Sequence, residues 1–378
     1  MNKVKQLSVL YHGKKVGTLA LYRNQLAAFE YTAEWLAEGF AISPFSLPLE
    51  KKVFLPKPDP YDGVFGVFAD SLPDGWGRLL VDRLMLKNHM DPHALGSLDR
   101  LAIVGDSGMG ALTFEPEADL EYEASDMSLD AIAEECRRLL ETKESEKLDD
   151  LFAMGGSSGG ARPKILTLIN GEHWIIKFPS AYDGDEAGRQ EYEYSQCAKD
   201  CGILMEPTAL FSSQKCGGYF GTRRFDRSQE EAGENRIHMI SAAALLETSH
   251  RIPNLDYDIL MRLTLALTRD IAECEKLFRL MCFNVFAHNR DDHSRNFSYL
   301  YLEKENRWIL SPAYDLTYSN SLGGEHATTV HSNGVNPDMA DILAVAKEIG
   351  IGSKRAKQIA SQIQECVADR LSEFIRNR

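Results

Sequence analysis

The sequence predicts an α+β fold of two lobes, rich in strands towards its N-terminal end and helical towards its C-terminal end. Three observations carry this. Residues 4–45 alternate apolar and polar side chains and turn at His12-Gly13, the pattern of a small antiparallel sheet. A glycine-rich run, MGGSSGGARPK at residues 154–164, leads into a second hairpin that turns at Asn170-Gly171. From about residue 241 the apolar spacing becomes helical, and it ends in a polar stretch, residues 288–315. The 378 residues suffice for two domains or one domain of two lobes, and 44% hydrophobic residues supply a sizeable core.

The elements follow in order. VKQLSVLYHGKKVGTLALY reads as a hairpin, and AAFEYTAEWL as a continuation of that sheet. SLPDGW opens a helix in which Trp76, Leu79, Leu80 and Leu84 share one apolar face, with Trp76 as a core anchor. Gly105, Gly108 and Gly110 read as a turn before a closing strand, since no helix follows to make a nucleotide loop. Ser128 is placed to cap the helix LDAIAEECRRLLE, and a short helix is expected at 146–154. The expected domains are a β-rich subdomain over 1–120, a region with the glycine loop over 121–240, and a helical lobe over 241–378. The run LMRLTLALTRDIAECEKLFRLMCFNVFAHN is expected as one long buried helix, and residues from Ser353 onward as an amphipathic surface helix.

Charge and composition exclude several classes. A net charge of −14 makes the chain a poor non-specific binder of nucleic acid, so a DNA contact would be local or made through a partner. No segment approaches the about 20 apolar residues of a membrane helix, and the N-terminus lacks the apolar run of a signal peptide. The expectation is a cytoplasmic protein with no membrane partner. Its seven cysteines read as reduced thiols, mostly in the core. Cys197 and Cys201 form C-x-x-x-C in a helical pattern, without a His or second Cys pair at zinc spacing.

The chemistry is concentrated in HNRDDHSRN and SPAYDLTYS. Asp291 and Asn296 stand in the pattern D-x-x-x-x-N, and Asp315 follows after a predicted hairpin with its turn at Glu305-Asn306. That is the order of polar groups a phosphotransferase needs: one Asp to orient or deprotonate a hydroxyl, an Asn for Mg2+, and a later Asp for Mg2+ at the ATP phosphates. Upstream, Gly155, Gly156, Gly159 and Gly160 let backbone N–H groups come close to phosphate oxygens. The run is not a Walker A motif, because Ala161-Arg162 stand where Lys-Ser/Thr would. On the return strand, alternation sets Trp174 and Ile176 against Ile175 and Lys177. A Lys on an apolar strand needs a partner. Kinases provide the ATP phosphates and a Glu of the next helix, here Glu191 or Glu193, with Glu191 preferred. Together these make the expected fold protein-kinase-like.

The segments SLPDGWGRLLVDRL, GGSSGGARPK, WIIKFPS, RRFDR, NRDDHSRNFS and AYDLTYS resemble, in order and over nearly the whole chain, the HipA-type serine/threonine kinases, toxins of bacterial toxin–antitoxin modules. The resemblance implies that Asp291 is the catalytic Asp, that Asn296 and Asp315 hold metal, and that Lys177 binds nucleotide. It implies a phosphate-binding loop over 155–164, with Lys164 near the phosphates. Autophosphorylation of a loop Ser would inactivate the enzyme. The match falls on Ser157, with Ser158 adjacent. His293 is expected to orient its loop through hydrogen bonds rather than act as a base. The cofactors implied are ATP and Mg2+. The implied partners are a small helix-turn-helix antitoxin (HipB-like), operator DNA reached mainly through it, and a protein substrate such as an aminoacyl-tRNA synthetase.

Two other readings use the same residues. A small-molecule phosphotransferase of the antibiotic type also carries D-x-x-x-x-N and a later Asp, but the β-rich N-terminal part and the two-Ser glycine loop speak against it. A catalytically silent co-repressor or scaffold is the other, and the full set of catalytic residue types speaks against that.

Overall fold

The computed structural model describes residues 3–118, 127–141, 145, 147–156, 159–180, 183–230, 233–320 and 323–376. Ser157 and Ser158 lie outside the described residues. The chain forms two compact units: Met1–Gly188, Leu210–Ile240 and Ala244–Thr248 make the first, and Arg189–Ala209, Ser241–Ala243 and Ser249–Arg378 the second.

In the first unit, Gln6–Tyr11, Lys14–Tyr22, Leu26–Tyr31 and Leu112–Glu115 form an antiparallel sheet, with Gln6–Tyr11 between the second and fourth strands. The first turn works because His12 and Gly13 both take positive φ, 48° and 73°, as a two-residue hairpin of this twist requires. Alternation buries Leu7, Val9 and Tyr11. The expectation that AAFEYTAEWL stays extended holds only to Tyr31. Ala33–Glu38 is a helix, because the Thr32 hydroxyl accepts the Trp35 N–H at 3.1 Å and so caps a run of good helix formers.

The second hairpin of this unit pairs Lys164–Ile169 with Glu172–Lys177, and Tyr219–Arg223 adds to the latter. Asn170 and Gly171 take φ of 51° and 80°, again the left-handed pair a tight hairpin demands. Beneath it lies a core built from the helices Trp76–Lys87, Leu129–Leu140 and Leu148–Gly155, with Trp76, Leu80, Phe152, Ile165, Ile176 and Phe178 buried together. The Ser128 hydroxyl caps the second of these helices at Ala131 N–H, 3.3 Å.

The Gly105–Gly110 turn is structural. Asp226, wholly buried, accepts from Arg224 Nη2 at 2.8 Å, Arg227 Nη1 at 2.7 Å and the Gly110 amide at 2.6 Å. Arg224, Arg227 and Arg236 donate to the Gly108 carbonyl, and Arg227 and Arg236 also to that of Gly110. Burial pushes the Asp226 carboxyl up, but the two adjacent guanidinium groups outweigh it and hold the carboxyl well below its ordinary range. Of the backbone N–H groups a phosphate would need from this turn, that of Gly110 is taken by Asp226.

In the second unit the expected single long helix is two, Tyr257–Thr268 and Ile271–Phe286. Arg269 takes a left-handed φ of 55°, and the Asp270 carboxylate caps the new helix at Ala272 N–H, 2.8 Å. Asp at a cap is stronger than a continuous apolar stripe, which two helices can share. Phe278, Met281 and Phe283 of the second helix are fully buried. The predicted hairpin is present as Ser298–Leu302 and Arg307–Leu310, with Asn306 at φ 48° in its turn. Buried Glu273 ties it to the helix by accepting the Leu310 amide at 2.9 Å. Ser353–Arg370 is amphipathic, burying Ala356, Ile359, Ala360, Ile363 and Val367.

Candidate active site

The polar stretch begins where the buried helix Ile271–Phe286 ends. His288 turns the chain with φ 52°, and a short 3-10 turn at Ser294–Asn296 returns it to the hairpin. The loop between is held from below by Asp292, which is completely buried. Its Oδ2 accepts from Tyr257 Oη at 2.9 Å and from His326 Nδ1 at 3.0 Å, and its Oδ1 accepts the Thr328 amide at 3.1 Å. Asn284 donates to Tyr257 Oη at 2.9 Å and accepts from Asn289 at 3.0 Å, which extends the network back into the helix. Burial, and next the Asp292 charge, push the Tyr257 hydroxyl well above its ordinary value, so it stays protonated and donates. Asp291, by contrast, is exposed. Two adjacent aspartates thus have opposite environments, one buried and anchoring the loop and one exposed.

Asp315 is joined to the same frame. Tyr314, the residue before it, donates to the Arg295 carbonyl at 2.6 Å and bonds Ser298 Oγ at 2.6 Å. After it, the Ser319 amide donates to the His288 carbonyl at 3.0 Å, and the Ala327 amide to that of Arg290 at 3.0 Å. Asp315 itself takes φ 59°, a left-handed conformation that Asp tolerates better than most residues and that persists where the surroundings fix it. Asn296 donates its Nδ2–H to the Asp291 carbonyl at 2.7 Å, so its Oδ1 is the atom that could take a metal. An amide oxygen and a carboxylate are the hard donors Mg2+ takes, so the residues present fit that ion.

His293 does not orient the loop as expected. Its Nδ1 is buried without a hydrogen-bond partner, and its ring lies 5.4 Å from that of His250. The orienting bonds are those of Asp292, which the sequence pattern left unassigned. The signal was the Asp-Asp doublet, but nothing local says which of the two is buried. Among the described residues, Asn289 Oδ1, Arg290 Nε and Ser294 Oγ are also buried without partners, so the loop carries a concentration of unsatisfied polar atoms. Such groups are rare in a settled interior and mark strain, an ordered water or a ligand site.

In the first unit the glycine run is held against the start of the helix Trp76–Lys87. The Gly160 carbonyl accepts the Trp76 amide at 2.8 Å, and a Cβ on Gly75, whose φ is 49°, would stand 2.2 Å from that carbonyl oxygen. Gly155 is also tightly packed, since a Cβ there would meet the Lys164 carbonyl at 2.7 Å and Trp76 Nε1 at 3.1 Å. Lys164 and Lys177 stand directly opposite each other on paired strands. The Lys164 ammonium lies beside Gly160, and that of Lys177 lies 5.7 Å from the centre of the Phe220 ring. Glu191, in the helix Ala187–Asp200 of the second unit, is 2% exposed.

Of the predicted residues, the structure brings Asp291, Asn296 and Asp315 into one frame, and Gly155, Gly156, Gly159, Gly160, Lys164 and Lys177 into another. Comparison with known proteins adds two family models: one described as the HipA N-terminal domain matches residues 7–115, and one described as the HipA-like C-terminal domain matches residues 156–371. A Sinorhizobium fredii protein named "Putative kinase Y4dM" is 25% identical over 334 residues, 84% of this chain and 78% of its own length. The solved HipA of Shewanella oneidensis MR-1, in complex with HipB and its operator DNA, superposes with a TM-score of 0.71. It is 17% identical, with 98% of this chain and 91% of that one covered. The α+β fold is thus of the two-lobed kinase-like kind.

Proposed function

The chain belongs to the HipA family, and from that membership we propose that it is an ATP- and Mg2+-dependent serine/threonine protein kinase, the toxin of a toxin–antitoxin module. The observation that carries the reading is the single hydrogen-bonded frame holding Asp291, Asn296 and Asp315. It is built for positioning, and phosphoryl transfer depends on positioning and charge stabilisation.

In this mechanism Asp291 orients a Ser or Thr hydroxyl and accepts its hydrogen bond. Asn296 and Asp315 would hold magnesium, Lys164, Lys177 and the amides of the glycine run would hold phosphate oxygens, and Glu191 would be the counter-charge for Lys177. Bound Mg-ATP would supply the transferable phosphoryl group, and its Mg2+ would offset the charge that develops there. The Asp292 network keeps Asp291 in place without itself meeting substrate. Phosphorylation of Ser157, or of adjacent Ser158, would add a charge of about −1.5 to −2 where the run must accept phosphate. That is a means of self-inactivation. The substrate is a component of translation such as an aminoacyl-tRNA synthetase. The partner is a small helix-turn-helix antitoxin through which the acidic chain reaches operator DNA, as HipA of Shewanella oneidensis is found with HipB and its operator. The site of action is the cytoplasm. Among the described residues no helix is long and apolar enough to cross a membrane.

The test is intact-mass spectrometry of dephosphorylated protein after incubation with Mg-ATP, beside Asp291→Ala. One phosphate gained on the Ser157–Ser158 run, and absent in the variant, is the expected result. A wild-type protein that binds ATP and gains none would overturn the self-inactivating kinase in favour of metabolite phosphorylation or a silent scaffold.

A further inference from the structure

Cys197 and Cys201 lie one helical turn apart at the end of the helix Ala187–Asp200, so both project from one face. Taken alone they offer two ligands, too few for a metal. The fold adds Cys366, about 170 residues later, from the helix Ser353–Arg370. The three sulfurs all lie within 4.8 Å of one another, and Cys197 Sγ lies 4.0 Å from the Cys366 carbonyl oxygen. All three residues belong to the second unit. Cys197 and Cys201 are buried, and Cys366 is partly exposed, which gives the cluster one side open to solvent. No other group of three metal-ligating side chains is this close among the described residues.

We propose that Cys197, Cys201 and Cys366 form a binding site for a thiophilic d10 cation of the Zn2+ class, with water as the remaining ligand. Thiolates are the donors such ions prefer. With bonds of about 2.3 Å, a tetrahedral ion keeps its sulfurs about 3.8 Å apart. The cluster therefore needs to contract by less than one bond length. Binding exchanges thiol protons for the metal. The nearest charges are Arg370 and Asp200, paired at 3.1 Å between the same two helices, so they nearly cancel. A bound ion would staple the helix that carries Glu191 to the last long helix of the chain. This holds whatever reaction the site at Asp291 performs.

The test uses the reduced full chain titrated with Cd2+, read by thiolate-to-cadmium charge-transfer absorption, with Zn2+ as competitor. The expected result is saturation at one equivalent and displacement by Zn2+. Alkylation mapped by mass spectrometry should show Cys197, Cys201 and Cys366 protected by the metal, and the other cysteines reacting as before. Cys366→Ser, at a partly exposed position, should weaken Cd2+ by more than the 10- to 100-fold, roughly, that even an outer-shell change costs. Absence of a saturable band in folded wild-type protein, or unchanged affinity in Cys366→Ser, would overturn the proposal and leave three packed core thiols.

Discussion

Asp226 and Asp292 are both completely buried, yet the two units use them in opposite ways. Asp226 in the first unit sits between two guanidinium groups and an amide, and Arg224, Arg227 and Arg236 also donate to the Gly108 carbonyl in closing the Gly105–Gly110 turn. Asp292 in the second unit meets a phenol, an imidazole and an amide, with no arginine among these partners. Around it, Asn289, Arg290, His293 and Ser294 keep buried polar atoms unsatisfied. A closed ion cluster fixes backbone and nothing more. A hydrogen-bonded carboxylate beneath a loop with unused polar atoms fixes that loop while leaving it ready for ligands. Burial of an aspartate alone does not separate these cases, but the identity of its partners does.

The comparison can be sharpened in four experiments, taken from the largest expected effect. Asp291→Ala, next to the anchor but exposed, should lower the phosphorylation rate by about 10²- to 10⁴-fold, with an unchanged denaturant midpoint. If stability fell instead, Asp291 rather than Asp292 would be the anchor. Asp226→Ala should cost about 3–5 kcal/mol of stability, because it leaves two buried guanidinium groups uncompensated. Urea unfolding measures this, and the rate per folded molecule should stay unchanged.

A third experiment uses pH. His238 is buried and gives its Nε2–H to the Ile42 carbonyl at 2.8 Å, and burial lowers it from 6.5 to about 4. The fold therefore favours the neutral ring. Its contribution is complete above about pH 6.5 and is lost as pH falls towards about 4, a total of about 3 kcal/mol. Unfolding midpoints followed across that window should show the slope, and His238→Gln, which keeps an N–H donor but cannot titrate, should lack it. Last, Asp292→Asn keeps shape but turns an amide N–H towards a donor. It should cost about 1–3 kcal/mol of stability. It should also slow phosphorylation by about 10²-fold through misplacement of Asp291. A stability loss with no change in rate would make Asp292 the equal of Asp226 and dissolve the contrast.

The sequence by itself determined what short-range chemistry dictates. His12-Gly13 and Asn170-Gly171 specify hairpins because few residues accept two consecutive positive φ values. Ser128 specifies a helix start, and the order of glycine run, Lys177, Asp291, Asn296 and Asp315 specifies a phosphotransferase pattern. Thr32 and Asp270 were legible caps too, but the apolar patterns running through them pointed to a strand and to one long helix. Tertiary structure decided everything that needs a partner distant in the chain. It chose Asp292, not Asp291, for burial by supplying Tyr257, His326 and Thr328. It took the loop-orienting role from His293, and it brought Cys366 to Cys197 and Cys201. Local patterns record the conformations a backbone accepts, whereas burial and pairing are settled only when remote segments compete for the same interior.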